Sequence, residues 1–323
     1  MNAKPIVTVL AGDRPVIGLE KLQEHAEFRI TDIEGLGTAL SGAEVLYMWD
    51  FFAEGLQDVW PNADALKWIH VPAAGVDKLL FQELVESDVI VTNARGIFDR
   101  PMAEFVLGGV LHFAKGFGLA GERQRRQQWK SWPTTEVAGA RVLVAGTGSI
   151  GRCTARLLRA VGMDVDGLGR TARTGDRDFG TVHASADFAK VAGGYDYVVL
   201  AAPLTSATER MVSRAVLESM KSSAVLVNVG RGRLVDQDAL VQALQAGRLG
   251  GAVLDVFETE PLPQDHELWQ LDNVLVTPHM SGDSQNWLDE LSAQFESNFH
   301  AWRQGKPLAN VVVKRLGFVP WDR

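Results

Sequence analysis

Cysteine is nearly absent from this sequence: Cys153 is the only one in 323 residues. A single thiol excludes an internal disulfide and leaves no set for a cysteine-based structural zinc site. It fits a reducing compartment. Cys153 lies just inside a predicted helix, where a packed small thiol is the plain reading. Long apolar runs are missing too. The most membrane-like stretch, Phe105 to Ala120, carries His112 and Lys115 and is too short and polar to span a bilayer. Met1 to Leu10 is a short strand-like segment without the longer apolar core of a signal peptide. A cytoplasmic protein with no membrane partner is expected. Positive charge is not in excess: 32 Lys and Arg stand against 40 Asp and Glu, a net charge of −8. That balance argues against a nucleic-acid partner. No set of histidines or acidic residues has metal-ligand spacing, so no metal is expected. The G-x-S-x-G elbow of many hydrolases is absent as well.

What is present centres on residues 140–151, Ala-Arg-Val-Leu-Val-Ala-Gly-Thr-Gly-Ser-Ile-Gly. The apolar run Val142 to Ala145 predicts a buried parallel strand, and Arg152 to Val161 predicts a helix. Between them Gly146, Gly148 and Gly151 have the G-x-G-x-x-G spacing. Gly146 lets the chain turn sharply, Gly148 lets backbone approach a pyrophosphate, and Gly151 lets helix pack closely on sheet. The helix start at Ser149, Ile150 and Gly151 then offers unpaired N–H groups to phosphate.

The length suits two domains. Residues 1–100 alternate strand-like runs (6–10, 45–48, 68–71, 89–92) with helix-compatible segments such as 19–25 and 78–86, a pattern of parallel sheet. Two loops after these strands are candidate ligand contacts. Trp49 and the aromatics after it are placed to wall a pocket or to pack locally. Pro72 to Asp77 contains Ala74 and Gly75, whose small side chains expose backbone N–H groups to an anion. Pro101 opens a helix over roughly 102–127, weakened by five glycines. Further strands are expected at 164–168, 197–201, 224–229, 251–256 and 274–277, with helices at 214–220 and 238–246. The segment 284–304 has apolar residues at helical spacing and is expected to return to the first part. The predicted fold is α/β: a Rossmann doubly wound parallel sheet (101–284) inserted into a second α/β domain made of 1–100 and 285–323.

A NAD-binding Rossmann unit carries an acidic residue at the end of its second strand. Here that place reads Gly167-Leu168-Gly169-Arg170-Thr171-Ala172-Arg173, with no carboxylate. A carboxylate would repel a 2′-phosphate, and arginine pairs with one bidentately. NADP(H) is the predicted cofactor, with Arg170, Thr171 and Arg173 at the phosphate and NAD(H) as the alternative. Three stretches that follow apolar strands complete the set: 228–236 with Arg231, 254–263 with Glu260, and 277–282 with His279. Hydride transfer to a 2-keto acid needs an anchor, a proton donor and a group that tunes the donor, and Arg, His and Glu supply these.

Together these motifs resemble the D-isomer-specific 2-hydroxyacid dehydrogenase family, over most of the chain and most strongly from 140 to 282. The resemblance implies a flavodoxin-like substrate domain split by the Rossmann domain, usually in a homodimer. Arg231 matches the arginine of the family's Asn-x-x-Arg-Gly motif, which binds the substrate carboxylate and polarises the carbonyl. Glu260 matches the glutamate of Asp-Val-x-x-x-Glu-Pro, and His279 the histidine of Pro-His-x-x-Gly, the proton donor. Val229, Gly230 and Asp255 fall near the cofactor, and Ala74 and Gly75 match the loop that holds the substrate carboxylate. Gly230 replaces a commoner Ala or Ser, and Asp283-Ser284 departs from a common threonine. A small 2-keto or 2-hydroxy acid is the expected partner, of the glyoxylate or hydroxypyruvate type. A phosphoglycerate-dehydrogenase-like activity is an alternative, with Arg95 and Arg100 as candidates to meet a phosphate. A cofactor-sensing binding protein of the corepressor type is another. A formate dehydrogenase is disfavoured, because that branch pairs its histidine with glutamine.

Overall fold

The computed structural model describes residues 4–12 and 15–321. Met1 to Ala3, the start of the strand-like N-terminal segment, lie outside the described residues. The chain divides into two compact units, Asp99–Asp283 and the remainder.

The first unit holds β1 (Ile6–Leu10), β2 (Glu27–Thr31), α1 (Leu36–Leu40), β3 (Val45–Tyr47), β4 (Trp68–Val71), α2 (Gln82–Glu86) and β5 (Ile90–Asn93). Its strands pair in parallel in the order β2-β1-β3-β4-β5. This is the flavodoxin-like order. The sequence gives little sign of β2: Glu-Phe-Arg-Ile-Thr at the sheet edge has no fully buried residue and lacks an apolar run. The expected helix at 19–25 is a single 3₁₀ turn, Leu19–Leu22, and that at 78–86 begins only at Gln82.

The second unit opens with α3 (Asp99–Lys115) and α4 (Phe117–Arg125). The single helix expected over 102–127 is two. Gly116 separates them in the left-handed region at φ +67°, while Gly109 lets α3 sit against Val253. There follow β6 (Arg141–Ala145), α5 (Ser149–Ala160), β7 (Asp164–Gly169), β8 (Arg173–Thr174), β9 (Thr181–Ala184), α6 (Phe188–Val191), β10 (Tyr197–Leu200), α7 (Arg214–Ser219), β11 (Val225–Asn228), α8 (Gln237–Gln245), β12 (Gly251–Leu254) and β13 (Val274–Val276). The sheet order is β13-β12-β11-β10-β6-β7-β9-β8, parallel except for the short β8. Leaving out β8, the chain winds outward in both directions from β6, the doubly wound Rossmann arrangement. The central strands β6, β10, β11 and β12 are largely apolar and buried because both faces are covered. Val142 and Val144 pack with Val106, Val110, Ala155 and Leu158 on one face; Leu143 and Ala145 pack with residues of α7 and α8 on the other.

After the second unit the chain returns to the first as α9 (Trp287–Arg303). Phe295 stacks on Tyr47 with ring centroids 3.9 Å apart and lies beside Trp68 at 5.4 Å. The segment after α9 pairs with β5, where Val312 N–H donates to Val91 O at 2.8 Å.

Candidate active site

In an open parallel sheet the strand ends that carry ligand contacts are the carboxyl ends. In the second unit the glycine loop follows β6, Arg170 follows β7, the Asn228–Gly232 segment follows β11, Asp255 follows β12 and His279 follows β13. All of these leave the sheet at the same edge.

The glycine loop differs residue by residue. A Cβ on Gly146 would collide with the backbone of Ala201, and one on Gly151 would overlap the carbonyl oxygen of Gly146. Gly146 also sits at φ +114°. Both glycines are demanded by the protein's own backbone. Gly148 is not, because a Cβ there would project into open space. Gly148 caps α5 with no side-chain hydrogen bond, leaving the first-turn N–H groups of Ser149, Ile150 and Gly151 without a side-chain cap. A phosphate fits such a helix start. The end of β7 lies against this loop. Gly146 N–H donates to Leu168 O at 3.0 Å, and Thr147 flanks Gly167 and Gly169. Arg170 and Thr171, both exposed, come next in the chain.

His279 and Glu260 meet directly. Nδ1 of His279 lies 2.8 Å from Oε2 of Glu260. A carboxylate only accepts, so this nitrogen carries the hydrogen. The other carboxylate oxygen, Oε1, accepts the Phe257 N–H at 2.9 Å. Burial alone would push the Glu260 carboxyl up. The hydrogen bonds from His279 and Phe257, with the Arg231 charge nearby, outweigh burial and hold it below the usual carboxylate value.

Asp255 organises the histidine loop. It is fully buried. Its Oδ1 accepts from Thr277 Oγ1 at 2.6 Å and from Met280 N–H at 2.9 Å, and its Oδ2 accepts from Ser281 N–H at 2.9 Å. Its backbone carbonyl accepts the His279 N–H at 2.8 Å. His279 is thereby held at φ +52°, a conformation uncommon outside glycine. Asn228, the first residue of the Asn-x-x-Arg-Gly motif and not among the expected site residues, does the same for the arginine loop. Its Oδ1 accepts from Gly230 N–H at 3.1 Å and its Nδ2 donates to Arg231 O at 2.9 Å. An asparagine at a strand end two residues before a glycine is a turn signal that marks it. Val229 is buried, and Gly232 abuts the Phe257–Glu258 backbone so closely that a Cβ would overlap Phe257. That contact brings the Arg231 segment beside the Glu260 segment.

Of the remaining candidates, one is buried away from any ligand and another is already paired. Trp49 does not wall a pocket. It is 1% exposed, packs edge-on against Tyr47 and donates its indole N–H to Pro15 O at 3.1 Å. An indole in so apolar a setting buries its ring and satisfies its one donor. Arg173 is held by Asp176, with Nε and Nη2 at 3.0 and 2.9 Å from Oδ2. In this structure its fork is taken up by a carboxylate of its own loop. Ala74 and Gly75 lie half-buried in the loop after β4, where Asn93 Nδ2 donates to Ala74 O at 2.6 Å. Arg95 donates to Pro320 O and stacks over Trp321, and Arg100 pairs with Glu104. Among the described residues no group of three His, Cys, Asp or Glu is placed to hold a metal, and no helix is long and apolar enough to cross a membrane.

Residues 107–281 match the D-isomer specific 2-hydroxyacid dehydrogenase, NAD binding domain. The chain belongs to the D-isomer specific 2-hydroxyacid dehydrogenase family. A glyoxylate reductase of Korarchaeum cryptofilum is 30% identical over 316 residues, 94% of each chain. A D-isomer specific 2-hydroxyacid dehydrogenase of Xanthobacter autotrophicus, solved with NADPH and MES, is 28% identical with a TM-score of 0.82, covering 98% of this chain and 100% of that one. An NADPH-dependent glyoxylate/hydroxypyruvate reductase of Sinorhizobium meliloti, solved with NADP and sulfate, is 25% identical with a TM-score of 0.81 over 98% and 100%. Members of this family are nicotinamide-dependent oxidoreductases, and the doubly wound second unit is the part that the family's NAD-binding model matches.

Proposed function

We propose that this protein reduces a small 2-keto acid, of the glyoxylate or hydroxypyruvate type, to the D-2-hydroxy acid with NADPH. The observation that carries this reading is the His279–Glu260 pair, fixed by Asp255 at the same sheet edge as the glycine loop. The bound nicotinamide supplies the hydride. Arg231 anchors the substrate carboxylate and draws electron density from the carbonyl. His279, protonated and hydrogen-bonded to Glu260, gives its Nε2 proton to the carbonyl oxygen. One hydride and one proton added across the C=O give the hydroxy acid. The N–H groups of Ser149 to Gly151 would hold the pyrophosphate, and the open space at Gly148 supports that placement. Arg170 and Thr171, with no carboxylate between 167 and 173, favour the 2′-phosphate.

The test is the initial rate of cofactor oxidation with glyoxylate, hydroxypyruvate, pyruvate and phenylpyruvate, each with NADPH and NADH. The expected result is turnover on one or more acids with NADPH preferred. His279→Asn and Glu260→Gln should each lower kcat about 10²–10⁴-fold without loss of cofactor binding. A clear NADH preference would remove the role given to Arg170. Tight cofactor binding with no turnover on any acid would instead favour a binding protein.

A further inference from the structure

Behind the predicted phosphate loop the structure holds a buried ionic cluster. Arg152 lies one residue past Gly151, in the first turns of α5. Its side chain is 7% exposed. It makes a two-pronged pair with Asp176, Nη1 to Oδ1 at 2.8 Å and Nη2 to Oδ2 at 2.9 Å. Nη1 also reaches Asp178 Oδ2 at 2.6 Å. Asp176 and Asp178 are each 6% exposed. Arg156, one helical turn on, donates to Asp178 Oδ1 at 2.8 Å. Arg173 closes the cluster from outside, its side chain 37% exposed and its fork on Asp176 Oδ2. Asp178 N–H donates to Asp176 Oδ1 at 3.0 Å. The Arg152 guanidinium sits 5.4 Å from the Phe179 ring centroid.

The arrangement ties two pieces of chain together. One is α5, whose start is the pyrophosphate cradle. The other is the hairpin from β8 to β9, which begins two residues after Thr171. Arg170 and Thr171 lie between β7, which is fixed in the sheet, and a hairpin pinned to α5 by Asp176. Burial of paired charges is costly unless geometry and hydrogen bonding are both complete, and here both carboxylates are fully engaged. Such pairs serve specificity in some proteins better than they serve stability. Arginines also outnumber carboxylates in the cluster, so its surroundings favour an added anion.

We infer that Asp176, held by Arg152, is a positioning residue for cofactor choice: it fixes the loop that presents Arg170 and Thr171 to the 2′-phosphate. It touches no substrate or cofactor in this scheme and acts through the loop. The inference rests on the reading of Arg170 given above.

The experiment is to measure dissociation constants for NADPH and NADH by fluorescence titration of the full-length protein, for the wild type, Arg170→Ala and Asp176→Asn. Loosening the loop weakens only contacts that NADH does not make. Asp176→Asn should therefore raise the NADPH constant about tenfold and change the NADH constant less than about twofold. Should Asp176→Asn fail to fold by thermal melt, Arg152→Lys takes its place. It keeps the buried charge but cannot form the two-pronged pair, and the same shift is expected. If Arg170→Ala lowers the NADPH preference and neither cluster variant does, the positioning role is overturned while the Arg170 reading stands. A rise in NADPH affinity on removing the Asp176 charge would overturn it too, by showing simple repulsion. If Arg170→Ala leaves the preference unchanged, the Arg170 reading fails and the inference falls with it.

Discussion

At Asp255 one buried residue fixes the backbone of three consecutive residues, His279 through its carbonyl and Met280 and Ser281 through its carboxylate, and so aims the imidazole of His279. Asp176 is a second case in which a carboxylate acts on its own chain, and it has a consequence for pH. The Arg152 fork holds its carboxyl far below the ordinary value near 3.8, against the opposing effect of burial. A carboxyl whose folded pKa is depressed binds a proton more readily in the unfolded chain. Its contribution to stability is complete above the unfolded pKa and is lost as pH falls toward the folded one. Acid-induced unfolding followed by circular dichroism should therefore show stability declining below about pH 4. Asp176→Asn should have lower stability at pH 7 and a flatter decline through that window. An unchanged acid limb in the variant would contradict this.

At the scale of elements, the contact between two loops matters more than either loop. Gly232 allows the Arg231 segment to lie against Phe257, and any side chain there must push the segments apart. Gly232→Ala is expected to destabilise the protein by about 1–3 kcal/mol through overpacking. It should also depress kcat/KM more than that loss of stability explains, because Arg231 and Glu260 move relative to one another. Chemical denaturation and steady-state kinetics on the same preparation would separate the two. Much at this scale was legible in the sequence. β6, β10, β11 and β12 are continuous apolar runs because the sheet is covered on both faces, and the motifs that follow them sit at one sheet edge. β2 was not legible, since an edge strand with alternating Glu, Phe, Arg and Ile carries a weak signal. The two-residue β8 is too short to have any. The aspartates at 176 and 178 escaped notice because they follow the place where a ribose-binding carboxylate is sought, and their partners Arg152 and Arg156 come from a helix more than 20 residues earlier. Trp49 misled because an aromatic residue after a strand looks the same in sequence whether it faces a ligand or a core.

Over the whole molecule, the chain passes from one unit to the other at Phe98–Asp99 and again at Asp283–Ser284. The first unit is consequently assembled from two distant pieces, and α9 supplies Phe295 to cover Tyr47, Trp68 and His70 and Trp302 to lie against Trp68. The second unit is continuous and has its own core on both sheet faces. A chain ending at Asp283 should keep the second unit folded and lose the first. Limited proteolysis is expected to digest 1–98 rapidly and leave a resistant fragment near 99–283. Protection of 1–98 in that truncated chain would show that its sheet needs no α9.

The same topology sets a timetable on the ribosome. The aromatic face of the first sheet emerges early, but the helix that shields it is encoded after the whole inserted unit. At ordinary rates of synthesis the gap is roughly 10–40 s. Through that interval the segments bearing Tyr47 and Trp68 wait without their cover, which makes the first hundred residues a natural client for a chaperone.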